Sequence, residues 1–105
     1  MKKKESAGEI ESRLFAAEIG DDSMELDLHG MEVHEALQEV ESFLQQAFMS
    51  GDRAVRIMTG RGTGELRSQV HYLLEDHELV EGFRDSQDPG QMGALTVVAI
   101  VNKKL

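Results

Sequence analysis

The sequence predicts an α/β fold in which a four-stranded mixed sheet carries two main helices, in the order β-α-β-α-β-β. Three observations carry this. Met24 to His29, MELDLH, alternates apolar and polar residues strictly and gives way at once to a long stretch of three- and four-residue apolar spacing. A second strand-to-helix step starts at Ala54. The chain then closes on ALTVVAIV, Ala94 to Val101, a nearly continuous apolar run rich in β-branched residues. Two β-to-α alternations imply parallel strand pairing with both helices packed on the sheet. At 105 residues the chain is long enough for one domain with one core.

The elements follow in order. Residues 1–22 stand apart as an N-terminal extension. Within it Ile10, Leu14 and Ala17, flanked by Phe15 and Ile19, fit either a short amphipathic helix, lying on the domain or on a protein partner, or a solvated extension. The domain proper is expected over residues 23–105. Met24, Leu26 and Leu28 form the buried side of the first strand, and Gly30 ends it. From Glu32 a helical pattern runs through Val33, Ala36, Leu37, Val40, Phe43, Leu44, Ala47 and Phe48. It stops at Gly51, which suits the left-handed position after a helix. Ala54 to Met58 is the second strand. Leu66, Val70, Leu73, Leu74 and His77 mark the second helix, and Leu79 to Arg84 the third strand. DSQDPGQMG is a turn holding the chain's one proline. The apolar run after it reads as a central strand covered on both faces.

Composition removes several functions. There is no cysteine, which excludes disulfides, zinc fingers and thiol nucleophiles. No apolar run is long enough to span a bilayer, and MKKKESAGEIESR lacks the apolar centre of a signal peptide, so the expected compartment is the cytoplasm. The formal charge is −9, which repels a polyanion at long range. The charge is uneven, however. Gly51 to Tyr72 holds four arginines (Arg53, Arg56, Arg61, Arg67) against two acids, Asp52 and Glu65. That concentration around a glycine-rich loop points to a small anionic footprint, not an extended basic groove.

The loop is TGRGTG, Thr59 to Gly64. The dinucleotide fingerprint does not fit, because Glu65 takes the place of its last glycine and the loop follows the second strand. The nucleoside-triphosphate loop does not fit either, since no lysine is present. What remains is a flexible loop with Arg61 at its middle, opening a helix whose N-terminus carries a partial positive charge. Three glycines in five residues exceed the needs of one tight turn, which favours backbone N–H groups approaching an anion, most simply a phosphate. A second motif is LDLHG. The strand period puts Asp27 and His29 on one side at the strand's end, where open α/β sheets present ligands. A carboxylate beside an imidazole can orient it and raise its basicity for proton transfer. The same spacing also fits two polar residues on an exposed face. His34, His71 and His77 lie on helices without metal-ligand spacing.

Taken together, LDLHG, then TGRGTGELR after the second strand, then the closing GALTVVAIV, resemble the Smr (small MutS-related) domain from Met24 to Val101. The resemblance implies a two-layer α/β sandwich similar to the C-terminal domain of translation initiation factor three. It implies endonuclease activity: DNA nicking or RNA cleavage with little sequence specificity. It puts Asp27 and His29 in the motif linked to cleavage. It assigns Thr59, Gly60, Arg61, Gly62, Thr63, Gly64 and Arg67 to nucleic-acid or phosphate binding. Many members have His where this chain has Thr59, which leaves His29 as the motif's imidazole. The resemblance also implies a stand-alone type without ATPase or clamp modules.

The enzyme reading has Arg61 and the loop holding the phosphate while His29 transfers a proton, with Asp27 orienting it or sharing a divalent metal such as magnesium. The competing readings are a non-catalytic module that binds nucleic-acid structure, and an adaptor that meets a protein partner through its N-terminal segment. One Tyr and no Trp argue against tight single-strand binding by stacking.

Overall fold

Residues 6–20 and 22–103 are described by the structure, a computed structural model. Residues 1–5, 21, 104 and 105, which include part of the expected extension, lie outside the described residues. The elements are α1 (Ala7–Glu18), β1 (Met24–Asp27), α2 (Val33–Ser50), β2 (Ala54–Met58), α3 (Glu65–Glu75), β3 (Val80–Asp85) and β4 (Leu95–Ile100).

The four strands form one mixed sheet in the order β1-β2-β4-β3. The crossover through α2 makes β1 and β2 parallel, with Leu26 opposite Ile57 and Asp27 opposite Met58. The second crossover, through α3, skips a position and leaves β3 at the far edge. The short return from β3 then places β4 between β2 and β3, antiparallel to both.

Strand alternation separates two cores. Val55, Ile57, Val98 and Ile100 face α2 and α3, joining Val40, Leu44, Ala47, Val70 and Leu74. Val97 and Ala99, one residue out of phase on β4, face α1 and meet Leu14 and Ala17. The sheet thus carries its two main helices on one face and α1 on the other. This explains why all six residues of β4 are buried and why ALTVVAIV lacks alternation. α1 starts in a capping box, in which Glu9 N–H donates to the Ser6 hydroxyl and Ser6 N–H to the Glu9 carboxylate. Arg56 donates from β2 to the last carbonyls of α1, Ala17 O at 2.8 Å and Glu18 O at 2.9 Å. Arg84 pairs with Glu11 and Glu18 from β3.

Element ends differ slightly from expectation. β1 stops at Asp27 instead of His29, because the Asp27 carboxylate accepts the His29 N–H at 2.9 Å and turns the chain out of the sheet. β3 begins at Val80, with Leu79 buried in the preceding turn. No helix among the described residues is long and apolar enough to cross a membrane.

Candidate phosphate cleft

Parallel, in-step pairing makes β1 and β2 end side by side. Leu28 N–H donates to Met58 O at 2.8 Å, and two positions beyond the Asp27–Met58 pair His29 and Gly60 meet. A methyl group placed on Gly60 would touch the His29 ring at 3.5 Å. Each strand then feeds a helix, so the first turns of α2 and α3 open onto one cleft of about 420 Å³, with His29 and Arg61 on its walls. Neither helix has a side-chain cap at its start: Glu32 and Gly64 occupy the cap positions without such a bond. Apart from the Glu65 N–H, which Thr63 Oγ1 accepts, the first-turn N–H groups of both helices have no side-chain acceptor among the described residues, which makes a concave site suited to an anion.

The glycine loop is pinned at its base and open at its tip. Thr59 is buried, and its N–H and that of Gly60 both donate to Ala94 O, at 2.9 and 3.1 Å. Beyond them, among the described residues, the N–H groups of Arg61, Gly62, Thr63 and Gly64 have no hydrogen-bond acceptor. Gly60 and Gly64 hold φ of +78° and +89°, a region costly for any side chain, and Gly64 there redirects the chain into α3. Thr63 Oγ1 accepts the Glu65 N–H at 3.3 Å.

The four arginines separate by face. Arg53 and Arg56 serve the α1 side: Arg53 donates to Ile100 O and pairs with Glu81, while Arg56 holds the end of α1 and Glu25. Arg61 and Arg67 line the cleft. Arg61 is exposed and donates to Gly90 O at 2.9 Å, its one hydrogen bond among the described residues. Arg67 is engaged by Asp85, which takes its Nε at 2.9 Å and also its Nη2. These bonds hold the Asp85 carboxyl below the usual range and raise Arg67.

Asp27 is not part of the cleft lining. Its carboxylate meets the main chain of His29, not the ring. Two acids, Glu32 and Glu65, also line the cleft beside Arg61 and Arg67, so its lining carries both signs of charge. Among the described residues no three His, Asp or Glu side chains cluster as a metal-holding set. The cleft lining thus sets one imidazole, that of His29, beside open main-chain N–H groups.

Sequence reasoning missed the support beneath Arg67. His71 Nε2 hydrogen-bonds Thr96 Oγ1 at 2.8 Å and stands 3.6 Å from Asp85 Oδ1. Its ring meets Phe83 edge to face, with centroids 5.0 Å apart. Burial pushes the His71 pKa down, and the Arg67 charge adds to this against the opposing pull of Asp85 and Glu75. The ring is therefore neutral near pH 7, and its approach to Asp85 is not an ion pair there. Asp85 follows Arg67 by 18 positions, and only the sheet register, absent from local spacing, brings them together.

The model of the Smr domain matches residues 26–99. The chain belongs to the Smr family. Both LDLH and the glycine loop fall inside the match. Endonuclease MutS2 of Brevibacillus brevis is 42% identical over 72 residues, 68% of this chain and 9% of that protein. Endonuclease MutS2 of Thermus thermophilus is 42% identical over 77 residues, 72% of this chain and 10% of that protein. The chain thus spans about a tenth of the length of these relatives. The crystal structure of the Smr domain of Thermus thermophilus MutS2 superposes with a TM-score of 0.71 at 39% identity, covering 74% of this chain and 98% of that one. YdaL, a stand-alone small MutS-related protein from Escherichia coli, gives a TM-score of 0.78 over 95% of this chain and 80% of its own. At 23% identity that likeness is one of fold.

Proposed function

We propose that this Smr domain cleaves phosphodiester bonds in DNA or RNA with little sequence preference. The observation that carries the reading is the His29 ring lying against Gly60 at the rim of a cleft built from two helix N-termini. The N–H groups of Arg61 to Gly64 would receive the scissile phosphate and gain strength as charge develops on its oxygens. Arg61 and Arg67 supply charge beside it. His29, exposed and within the same cleft, moves the proton, as base toward the attacking oxygen or as acid toward the leaving one. These groups recognise phosphate and not base edges, which accounts for little sequence preference. The endonuclease name of the MutS2 relatives supports the reading for the segment they share with this chain.

Asp27 favours a second reading. Its carboxylate serves the backbone turn, so no Asp–His dyad is assembled in this structure, as suits a module that binds nucleic-acid structure without cutting. The test is a cleavage assay on supercoiled plasmid and on structured RNA, with the wild-type chain and His29→Ala prepared identically, with and without chelator. Cleavage by wild type that His29→Ala loses supports the enzyme. Binding by both without cleavage supports the second reading.

A further inference from the structure

We infer that Asp85 is a positioning residue for the phosphate cleft: it holds the Arg67 guanidinium by one edge so that the remaining donors are presented, already ordered, to a bound phosphate. The inference rests on the phosphate-binding reading above and adds to it a residue outside the cleft motif. Asp85 lies at the end of β3 and binds the Nε and Nη2 positions of Arg67. That is one edge of the guanidinium. Among the described residues Nη1 has no acceptor, and Arg67 itself lines the cleft.

Asp85 is in turn held in place. The pair is half-buried, Arg67 at 34% and Asp85 at 27% side-chain exposure. His71 stands 3.6 Å behind the carboxylate, fixed by Thr96 from β4 and packed on Phe83 from β3. A surface ion pair alone has little stabilising value. This one instead links the helix that opens at the cleft to the far edge of the sheet. A long arginine side chain that is free in solution loses rotamer freedom when it grips a phosphate, and one already held at its other edge loses less.

The inference makes a prediction of unusual sign. Asp85 is an anion near an anion site, so Coulombic reasoning alone says that removing its charge tightens binding of a polyanion. Positioning says the reverse. Asp85→Asn keeps the shape and removes the charge-assisted grip. Affinity for a labelled oligonucleotide, read by anisotropy at fixed salt, should then fall by about 2- to 12-fold, the equivalent of the rotamer entropy of one long side chain. The same loss should vanish when Asp85→Asn is made in an Arg67→Ala background, whereas damage to the fold would persist there. A parallel titration with inorganic phosphate, followed through the Arg67 Nε–H resonance, reads the contact without any nucleic acid. Melting of each variant monitors folding. Equal or tighter binding by Asp85→Asn, or an undiminished effect in the Arg67→Ala background, overturns the positioning role and leaves the phosphate cleft standing. Wild type that binds neither probe removes the cleft reading, and the positioning role with it.

Discussion

His29 and Arg61 line the same cleft, and the proposed function gives them different duties that single substitutions should separate. Removing the imidazole in His29→Ala takes away proton transfer but no phosphate donor. Cleavage should drop by ~10²–10⁴-fold while affinity stays nearly unchanged, measured by turnover and by equilibrium binding of one substrate. Asp27 meets His29 through the main-chain N–H. An amide oxygen can accept that bond as a carboxylate does, so Asp27→Asn should retain more activity than Asp27→Ala. The reverse order would mean that the charge itself is used. Arg61 makes one hydrogen bond among the described residues, to Gly90 O, and is exposed, outside the core. Arg61→Ala should leave the melting temperature in place and flatten the dependence of log affinity on log salt by about one unit, the value of one lost phosphate contact. An unchanged slope would move the charge contact to Arg67.

The elements that frame the cleft set its backbone strain and its support. Gly64 sits at φ +89° with open space where a Cβ would go, so a side chain there meets conformational cost and no clash. Gly64→Ala should destabilise by roughly 1–2 kcal/mol in urea unfolding. Gly90, in the β3–β4 turn and outside the positive-φ region, serves as the control, and Gly90→Ala should be near neutral. On the other face α1 seals β4 through Leu14, which is 4% exposed. Leu14→Ala should cost roughly 2–5 kcal/mol. If stability were unchanged, the packing of α1 would contribute nothing to the fold.

For the whole molecule, the ionisable groups held inside the fold set its response to acid. His71 has a lowered pKa through burial, so the unfolded chain binds its proton more readily than the folded one. Its contribution is fully present above the ordinary imidazole value of about 6.5 and is lost as pH falls through the lowered one. Asp85, lowered first by its bonds to Arg67, and Glu11, lowered first by its bond to Arg84, act in the same direction further down. Glu18 is lowered too: burial alone would raise it, but bonds from Ser86, Gln87 N–H and Arg84 outweigh that. These carboxylates add stability above the ordinary carboxylate range that is lost as pH falls below it. Urea midpoints should therefore decline in two stages below about pH 6.5. His71→Gln, able to keep a bond to Thr96, should flatten the upper stage. A net charge of −9 further means that added salt should relieve long-range repulsion of a polyanion while weakening the few direct phosphate contacts.

What the sequence determined by itself was set by local physics. Period-two alternation in MELDLH, helical spacing after Glu32 and after Gly64, and glycine at turn positions fix element type from neighbouring residues alone. Two strand-to-helix steps then suffice to make β1 and β2 parallel, which brings His29 beside Gly60. The rest depends on partners far apart in the chain. The spacing of Ile10, Leu14 and Ala17 fitted a helix or a solvated tail equally well; burial against Val97 and Ala99 makes it the cover of the second sheet face. The four arginines lie close in sequence, yet their partners come from distant elements: Arg53 meets Glu81, Arg56 meets Glu25 and the end of α1, and Arg61 and Arg67 line the cleft. Asp27 and His29 shared a side by period, but a hydrogen bond to the main chain ends the strand between them and sends the two side chains to different tasks. Asp85 carried no local signal at all. Its place under Arg67 comes from the sheet order, because β3 crosses to the far edge and only then returns through β4.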